Sequence, residues 1–408
     1  MNIFLLLAGL AALPPASGSS FVIEHATIEI GDGSSLEDAS VVVDKSIIKA
    51  VGARVEAPGV RTIDGRGKVV SPGLVESASS LGLVEVSAVE SSNDRRLHGA
   101  NAAPAFRATD GFNPLSIHIP VARKQGITTA VCAPGGTLLY GVAGLFDLTG
   151  DAGVVPRPAA MFGGVGAGAA AALGKSRGGV WLRMREIVSD TIFYRSHRKA
   201  FEQGRSRPLS LAPMHHEALY PVLDGTMPLV LEANRESDIR TALGFARAHG
   251  IRLVISGGAE AWLVADELAA ASVPVILAPS YQGPFGFDSL HARDDLASIL
   301  DARGVKVIIT SGSWVGRLRQ EAGIAVAYGL DRSEAIRAIT LAPAEVFGRA
   351  DRIGSIAPGK RANLVLWSGD PLETTTIAER VWIDGVAQSL VTRQDQLARR
   401  YLDAHPAP

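Results

Sequence analysis

The stretch PLVLEANRESDIRTALGFARAHGIRLVIS, residues 228–256, decides the fold. Pro228 to Glu232 is a short apolar run of the kind found in strands buried on both faces. Ile239, Ala242, Leu243 and Ala246 then fall at i, i+3, i+4 and i+7, one stripe of an amphipathic helix, and Gly250 supplies the stop. Arg252 to Ser256 is a second strand run. Strand, helix and strand in succession imply a parallel sheet. The alternation continues downstream with a helix over Glu260–Ala271, a strand over Val273–Ala278, a helix ending at Leu296–Leu300 and a strand over Val305–Thr310. Upstream, Gly126 to Ala133 is a similar strand. Asp331-Arg332-Ser333-Glu334 resembles a capping box that opens a helix running to Phe347.

The two ends of the chain read differently. Between Phe21 and Val70, alternating runs (FVIEHATIEI, SVVVDKSIIKAVG, RTIDGRGKVV) are separated by Gly-Asp-Gly and Pro-Gly turns, which is hairpin chemistry. Asn363–Trp367 (NLVLW) and Arg380–Asp384 (RVWID) repeat the pattern near the other end. The expected class is α/β. Residues 71–351 form a (β/α)8 TIM-like barrel, residues 19–70 and 352–390 a small composite β-sandwich built from both termini, and 391–408 a tail. A doubly wound open sheet is the alternative.

The 408 residues are 47% hydrophobic and 20% charged, enough to bury a full core. Forty Lys and Arg balance 41 Asp and Glu, so the chain lacks the basic excess that nucleic-acid binding requires. Its one cysteine, Cys132, excludes an internal disulfide, a multi-thiolate zinc site and a Cys-x-x-Cys redox pair. Ile3 to Leu13 (IFLLLAGLAAL) is too short to span a bilayer and suits the h-region of a secretory signal peptide, although no Lys or Arg precedes it. Ala16-Ser17-Gly18 offers a cleavage site, so residues 1–18 are expected to be removed on export to the periplasm or medium. No later apolar run is long enough to cross a membrane.

Several motifs stand in a telling order. They are Val70-Ser71-Pro72-Gly73-Leu74-Val75-Glu76, Ser80-Leu81-Gly82-Leu83, Ala88-Val89-Glu90, Ile339-Thr340-Leu341-Ala342-Pro343-Ala344, and Gly354-Ser355-Ile356-Ala357-Pro358-Gly359-Lys360 leading through Ala362–Trp367 to Gly369-Asp370-Pro371-Leu372. Together they resemble the amidohydrolase superfamily, especially its imidazolonepropionase-like members, over about residues 22 to 390. The resemblance implies a barrel in which a divalent cation, held at strand C-termini, activates water for hydrolysis.

The positions that the resemblance assigns to metal ligands are filled otherwise. The first-strand His-x-His positions are Ala78 and Ser80, the next histidine position is Glu232, the following one is Gly257, and the aspartate position is Gly312. Asp147 stands where some members carry a lysine. Only Glu232 among the five ligand positions offers a ligand. The chain is therefore expected to be a pseudoenzyme, metal-free, acting as a non-catalytic subunit or partner of an active paralogue in a hetero- or homo-oligomer. One alternative is a divergent hydrolase of non-peptide, cyclic-amide carbon–nitrogen bonds with a divalent metal such as zinc. Another is a small-molecule binding protein. The degenerate mouth would then offer Glu76, Ser80, Glu232, Arg235 and Ser311 as contacts. Glu76 and Glu232 together would favour Mg²⁺ or Ca²⁺ over Zn²⁺.

Other motifs read as structural. His215-His216-Glu217 reads as surface, since neighbouring residues diverge and rarely share a metal. Gly163–Lys175 (GGVGAGAAAALGK) lacks the glycine spacing of a phosphate loop and reads as a Gly/Ala segment or the first turn of a helix. Ser196-His197-Arg198-Lys199 lies in a polar, basic stretch, Cys132 reads as buried filler, and His118 as structural.

Overall fold

The computed structural model describes residues 18–404 except 54, 152, 153, 155 and 313–315; the apolar run Ile3–Leu13 lies outside the described residues. Five strands open the chain: β1 (Phe21–Glu29), β2 (Ser35–Asp44), β3 (Ile47–Gly52), β4 (Arg61–Asp64) and β5 (Val69–Pro72). Eight more follow: β6 (Leu74–Ser79), β7 (Ile127–Cys132), β8 (Leu139–Asp147), β9 (Arg157–Gly164), β10 (Leu229–Ala233), β11 (Leu253–Gly257), β12 (Val275–Leu277) and β13 (Val307–Ile309). The last three are β14 (Leu364–Trp367), β15 (Ala378–Ile383) and β16 (Val386–Ala387).

Strands β6 to β13 lie side by side in chain order as a TIM-like barrel sheet. Every neighbouring pair is parallel except those of β8, which runs antiparallel to both β7 and β9. The reason is the short link from Cys132 to Leu139, which allows a reversal but not the crossover that a parallel neighbour needs. Period-2 alternation sorts the side chains. Val230, Val254, Ile276 and Ile308 cluster in the barrel interior with Val131 and Phe162. Leu229, Leu231, Leu253, Ile255, Val275 and Leu277 face the helices.

Ala342, Val346 and Phe347 join the interior cluster and close the barrel floor. They belong to a segment expected as one helix from Asp331 to Phe347. Instead there are two helices, Arg332–Ala338 and Leu341–Val346. Asp331 caps the first as expected, accepting the Ser333 N–H at 2.7 Å. The break comes at Ile339–Thr340, where the Ile339 carbonyl accepts the Val75 N–H of β6 at 2.9 Å, and Thr340 takes φ −130° and ψ −82°. The first barrel strand thus takes a hydrogen bond that a continuous helix would have kept.

The remaining strands form one sheet, ordered β16-β15-β14-β5-β1-β2-β3, with β4 paired to β1. Strands from the two ends of the chain meet at the antiparallel β5–β14 ladder, in which Leu364 opposes Pro72. The sheet curls into a sandwich-like fold, since the rings of Phe21 in β1 and Trp382 in β15 stack 5.0 Å apart. The tail carries a helix, Arg393–Ala404, tied to the barrel by the Lys124–Asp395 ion pair at 3.0 Å. Among the described residues no helix is long and apolar enough to cross a membrane.

Trp367 joins the two domains. It is fully buried, its indole N–H donates to Ser71 Oγ at 2.8 Å, and its ring lies against Gly126 at the start of β7. A Cβ at Gly126 would come within 2.3 Å of that ring, and φ there is +83°. The buried Arg319 guanidinium sits 5.4 Å from the ring centroid and donates to the carbonyls of Pro371, Glu373 and Thr376 at 3.0, 3.0 and 2.7 Å. Trp367→Ala should cost about 3–5 kcal/mol, and Gly126→Ala should also destabilise, both read as a lower urea midpoint.

Candidate functional site at the barrel mouth

The same alternation that packs the interior delivers the mouth. Two residues beyond Val230, Val254, Ile276 and Ile308 stand Glu232, Ser256, Ala278 and Thr310. In β6, Ala78 packs against the interior cluster. The C-terminal rim of the barrel is therefore small or hydroxyl-bearing at most positions, and Glu232 adds one carboxylate.

Glu76 is the second acid and has a different role. It is buried in β6, and its carboxylate reaches across to the end of β13. Thr310 Oγ1 donates to Oε1 at 2.5 Å, while Ser311 donates to Oε2 from its N–H at 3.1 Å and from its hydroxyl. The Ala78 N–H adds a long contact at 3.4 Å. Burial pushes the Glu76 carboxyl above its usual range, with the Ser311 and Thr310 hydrogen bonds opposing the shift. Of the sequence candidates, the structure brings Glu76 and Ser311 together. Ser311 is buried and spent on the seam, not offered to a ligand.

Glu232 is exposed and accepts the Tyr140 hydroxyl at 3.1 Å. Burial first, and then the Glu232 charge, raise the Tyr140 phenol above its usual range. Gly164 makes room for the phenol, because a Cβ there would lie 2.2 Å from Tyr140 Oη. Arg95 stands near this pair; its Nε donates to the Ala133 carbonyl at 3.3 Å. Burial lowers its pKa, with Glu232 partly offsetting this, and no carboxylate among the described residues approaches within 4.0 Å. Arg235 is exposed at the N-cap of helix Glu236–His249, and its charge is felt at Asp238. Ser80 is half-buried, and its carbonyl accepts the Leu83 N–H at 2.9 Å. Glu76 and Glu232 each have hydroxyl partners of their own, so they do not form a shared carboxylate pair. Sequence reasoning missed Thr310, Tyr140 and Arg95. The glycines Gly135, Gly136 and Gly164 around Tyr140 and Arg95 were the available signal.

The secondary motifs resolve simply. His216 is fully buried, contrary to the surface expectation, because the helix Pro213–Glu217 packs on the long helix Arg177–Glu202; its Nδ1 lies 2.9 Å from Thr191 Oγ1. His215 Nδ1 accepts the Ala105 N–H at 3.1 Å, so the two imidazoles serve different neighbours. His118 Nε2 bonds the Glu85 carbonyl at 2.8 Å. Burial pushes the Cys132 thiol up to about 12. Gly163–Lys175 runs from the end of β9 into the helix Ala167–Ala172. Ser196 bonds helix carbonyls at Ile192 and Phe193, at 3.2 and 3.0 Å. Asp147 ends β8 and, because that strand is antiparallel, lies at the opposite end of the barrel from the mouth.

Comparisons with known proteins agree on one family. Residues 230–388 match the Amidohydrolase family. An amidohydrolase from Thermotoga maritima superposes with a TM-score of 0.82 at 27% identity, covering 91% of this chain and all of that one. The chain belongs to the amidohydrolase superfamily. The imidazolonepropionase of Phocaeicola vulgatus is 35% identical over 153 residues, covering 32% of this chain, and the amidohydrolase tasK of Hapsidospora irregularis is 23% identical over 91% of it. The chain spans only 36% and 43% of the lengths of those two curated relatives.

The divalent cation that this amidohydrolase fold implies needs imidazole or carboxylate ligands at strand ends. The residues present do not fit it. Ala78, Ser80, Gly257 and Gly312 bring neither imidazole nor carboxylate, and the Glu76 oxygens are already occupied by donors. At Gly257, φ is +87° and a Cβ would come within 2.4 Å of Asn234 Oδ1, so the space for a side chain there has been filled. Among the described residues no three His, Cys, Asp or Glu side chains come together in a metal-binding group.

The raised pKa of Glu76 gives a pH test. Between its unfolded and its higher folded pKa the native state holds the extra proton, so stability from this group is present at low pH and falls as pH rises through the folded pKa. Glu76→Gln keeps an acceptor without the charge. Its melting temperature relative to the parent should therefore increase from pH 5 to pH 8. A constant difference would mean that Glu76 does not titrate in that range.

Proposed function

We propose that this chain is a non-catalytic amidohydrolase that acts as a subunit or partner of an active paralogue. The observation that carries the reading is the Glu76 carboxylate, saturated by Thr310 and Ser311 at the rim where a cation would need free ligands. The loop beyond β12 supports a partner. Phe285 and Phe287 are 77% and 87% exposed, yet the loop is held by Asp288, which accepts the Ala167 N–H at 2.7 Å and pairs with Arg177, and by the bond from Trp262 Nε1 to the His291 carbonyl at 2.8 Å. Solvent-facing aromatic side chains on an anchored loop suit a protein interface. Export to the periplasm or medium, from the Ile3–Leu13 run, is part of the proposal and sets where the partner is met.

Elemental analysis of untagged protein from residue 19 onward, purified with zinc supplied, tests the first half. No stoichiometric metal is expected. One equivalent would overturn the reading in favour of a divergent metal-dependent hydrolase of carbon–nitrogen bonds. Co-expression with an active paralogue tests the second half. A stable heteromer is expected, weakened about tenfold or more by the double change Phe285→Ser and Phe287→Ser. N-terminal sequencing of the exported protein checks the cleavage.

A second reading, binding of a small carboxylate ligand, is favoured by Arg95, a partly desolvated guanidinium beside Tyr140 with no ion-pair partner among the described residues. It predicts a ligand-dependent rise in melting temperature, lost in Arg95→Gln.

A further inference from the structure

A second cleft lies at the opposite end of the barrel from the mouth. It has a volume of about 720 Å³ and separates the barrel underside from the β2–β3 and β15–β16 turns of the sheet domain. Five cations line it: Lys45 from the sheet domain, Arg157 at the start of β9, Arg349 and Arg352 after the floor helix, and Arg361. Its lining carboxylates are Asp147 and Asp384. Both are taken by Arg361, which bonds Asp147 at 2.7 Å and forks onto Asp384 through Nε and Nη2. Lys45, Arg157, Arg349 and Arg352 have no carboxylate within 4.0 Å among the described residues.

Five positive against two negative side chains leave the cleft with a formal charge of +3. Gathering like charges in one concavity between two domains is unfavourable unless an anion offsets it, since the walls reduce the screening that open water provides. Three arginines from two segments, Arg157 on one and Arg349 and Arg352 on the other, carry planar forks suited to oxyanions, and Ser46 and Thr149 line the same space. The volume is that of a site for a small metabolite.

We propose that this cleft binds a multivalent oxyanion, a phosphorylated or polycarboxylate small molecule, and that the ligand bridges the sheet domain to the barrel underside. The site is independent of the metal question at the mouth. Its lining cations come from both domains, so occupancy stabilises their junction.

The test uses purified protein from residue 19 onward with pyrophosphate and citrate as probes, each against sodium chloride at matched ionic strength. Calorimetric titration should give binding by at least one probe with a dissociation constant below about 1 mM, with a rise in melting temperature. Response to pyrophosphate alone identifies a phosphoryl ligand, and response to citrate alone a polycarboxylate. Arg157→Gln combined with Arg352→Gln should weaken binding at least tenfold. Glu232→Gln, at the mouth, should leave it unchanged. Circular dichroism and the melting temperature in chloride check that the double variant folds, and Lys45→Gln, on the other domain, provides an independent loss. Shifts no larger than those with chloride, or binding retained in both variants, would overturn the proposal.

Discussion

The barrel depends on one buried carboxylate. Eight strands lie in chain order from β6 to β13, and the sheet must then bring its last strand back to its first. At the mouth end this is done by Glu76, which reaches from β6 to Thr310 and Ser311 just beyond β13. A buried carboxylate is costly unless its oxygens are satisfied, and removing the donors would expose that cost in full. Here two hydroxyls and a backbone N–H satisfy those oxygens. The Ile339 carbonyl completes the closure by taking the Val75 N–H, which is why the floor segment kinks between two helices.

The second constraint is topological. Strands β5 and β14 are neighbours in the sheet domain, so the whole barrel is an excursion between two paired strands. Loop-closure entropy rises only slowly with length, and a rigid barrel holds its own ends, so such an insertion is tolerable. The junction must nevertheless be specific. Trp367 next to Gly126 fixes the contact by shape, and Arg319 fixes the following loop by donating to three of its carbonyls.

Much of the fold was legible because the apolar periodicities are unmixed. Residues 228–256 alternate strand and helix cleanly: the observed β10 and β11 differ from the sequence reading by one residue at each end, and the intervening helix stops at His249, before Gly250 as read. The antiparallel β8 was not legible from hydrophobic pattern, since a strand buried on both faces reads alike in either direction; its short link to β7 carries the information. The break at Ile339–Thr340 depends on a hydrogen bond to a strand more than 260 residues away, which no local propensity encodes. At the mouth, the sequence pointed to Glu76, Glu232 and Ser311 as candidates, but not to the burial of Ser311, the Tyr140–Glu232 bond or the place of Arg95. Those follow from which strands face each other across the barrel.

The proposed absence of a metal site also has a physical logic. Imidazoles and carboxylates gathered at a strand rim are stabilised by the cation that they hold; without it, they leave desolvated and mutually repelling groups. On the proposed non-catalytic reading, loss of binding at one position removes the benefit of the rest, and neutral or small residues such as Ala78, Ser80, Gly257 and Gly312 avoid the remaining cost. At Gly257 the space that a side chain would need is occupied by Asn234. Glu76 and Glu232 each have partners within the protein: the first bonds Thr310 and Ser311 across the barrel, the second accepts the Tyr140 hydroxyl. The core below does not depend on the rim, since Val230, Val254, Ile276 and Ile308 owe their packing to alternation along the strands and not to the chemistry of the mouth.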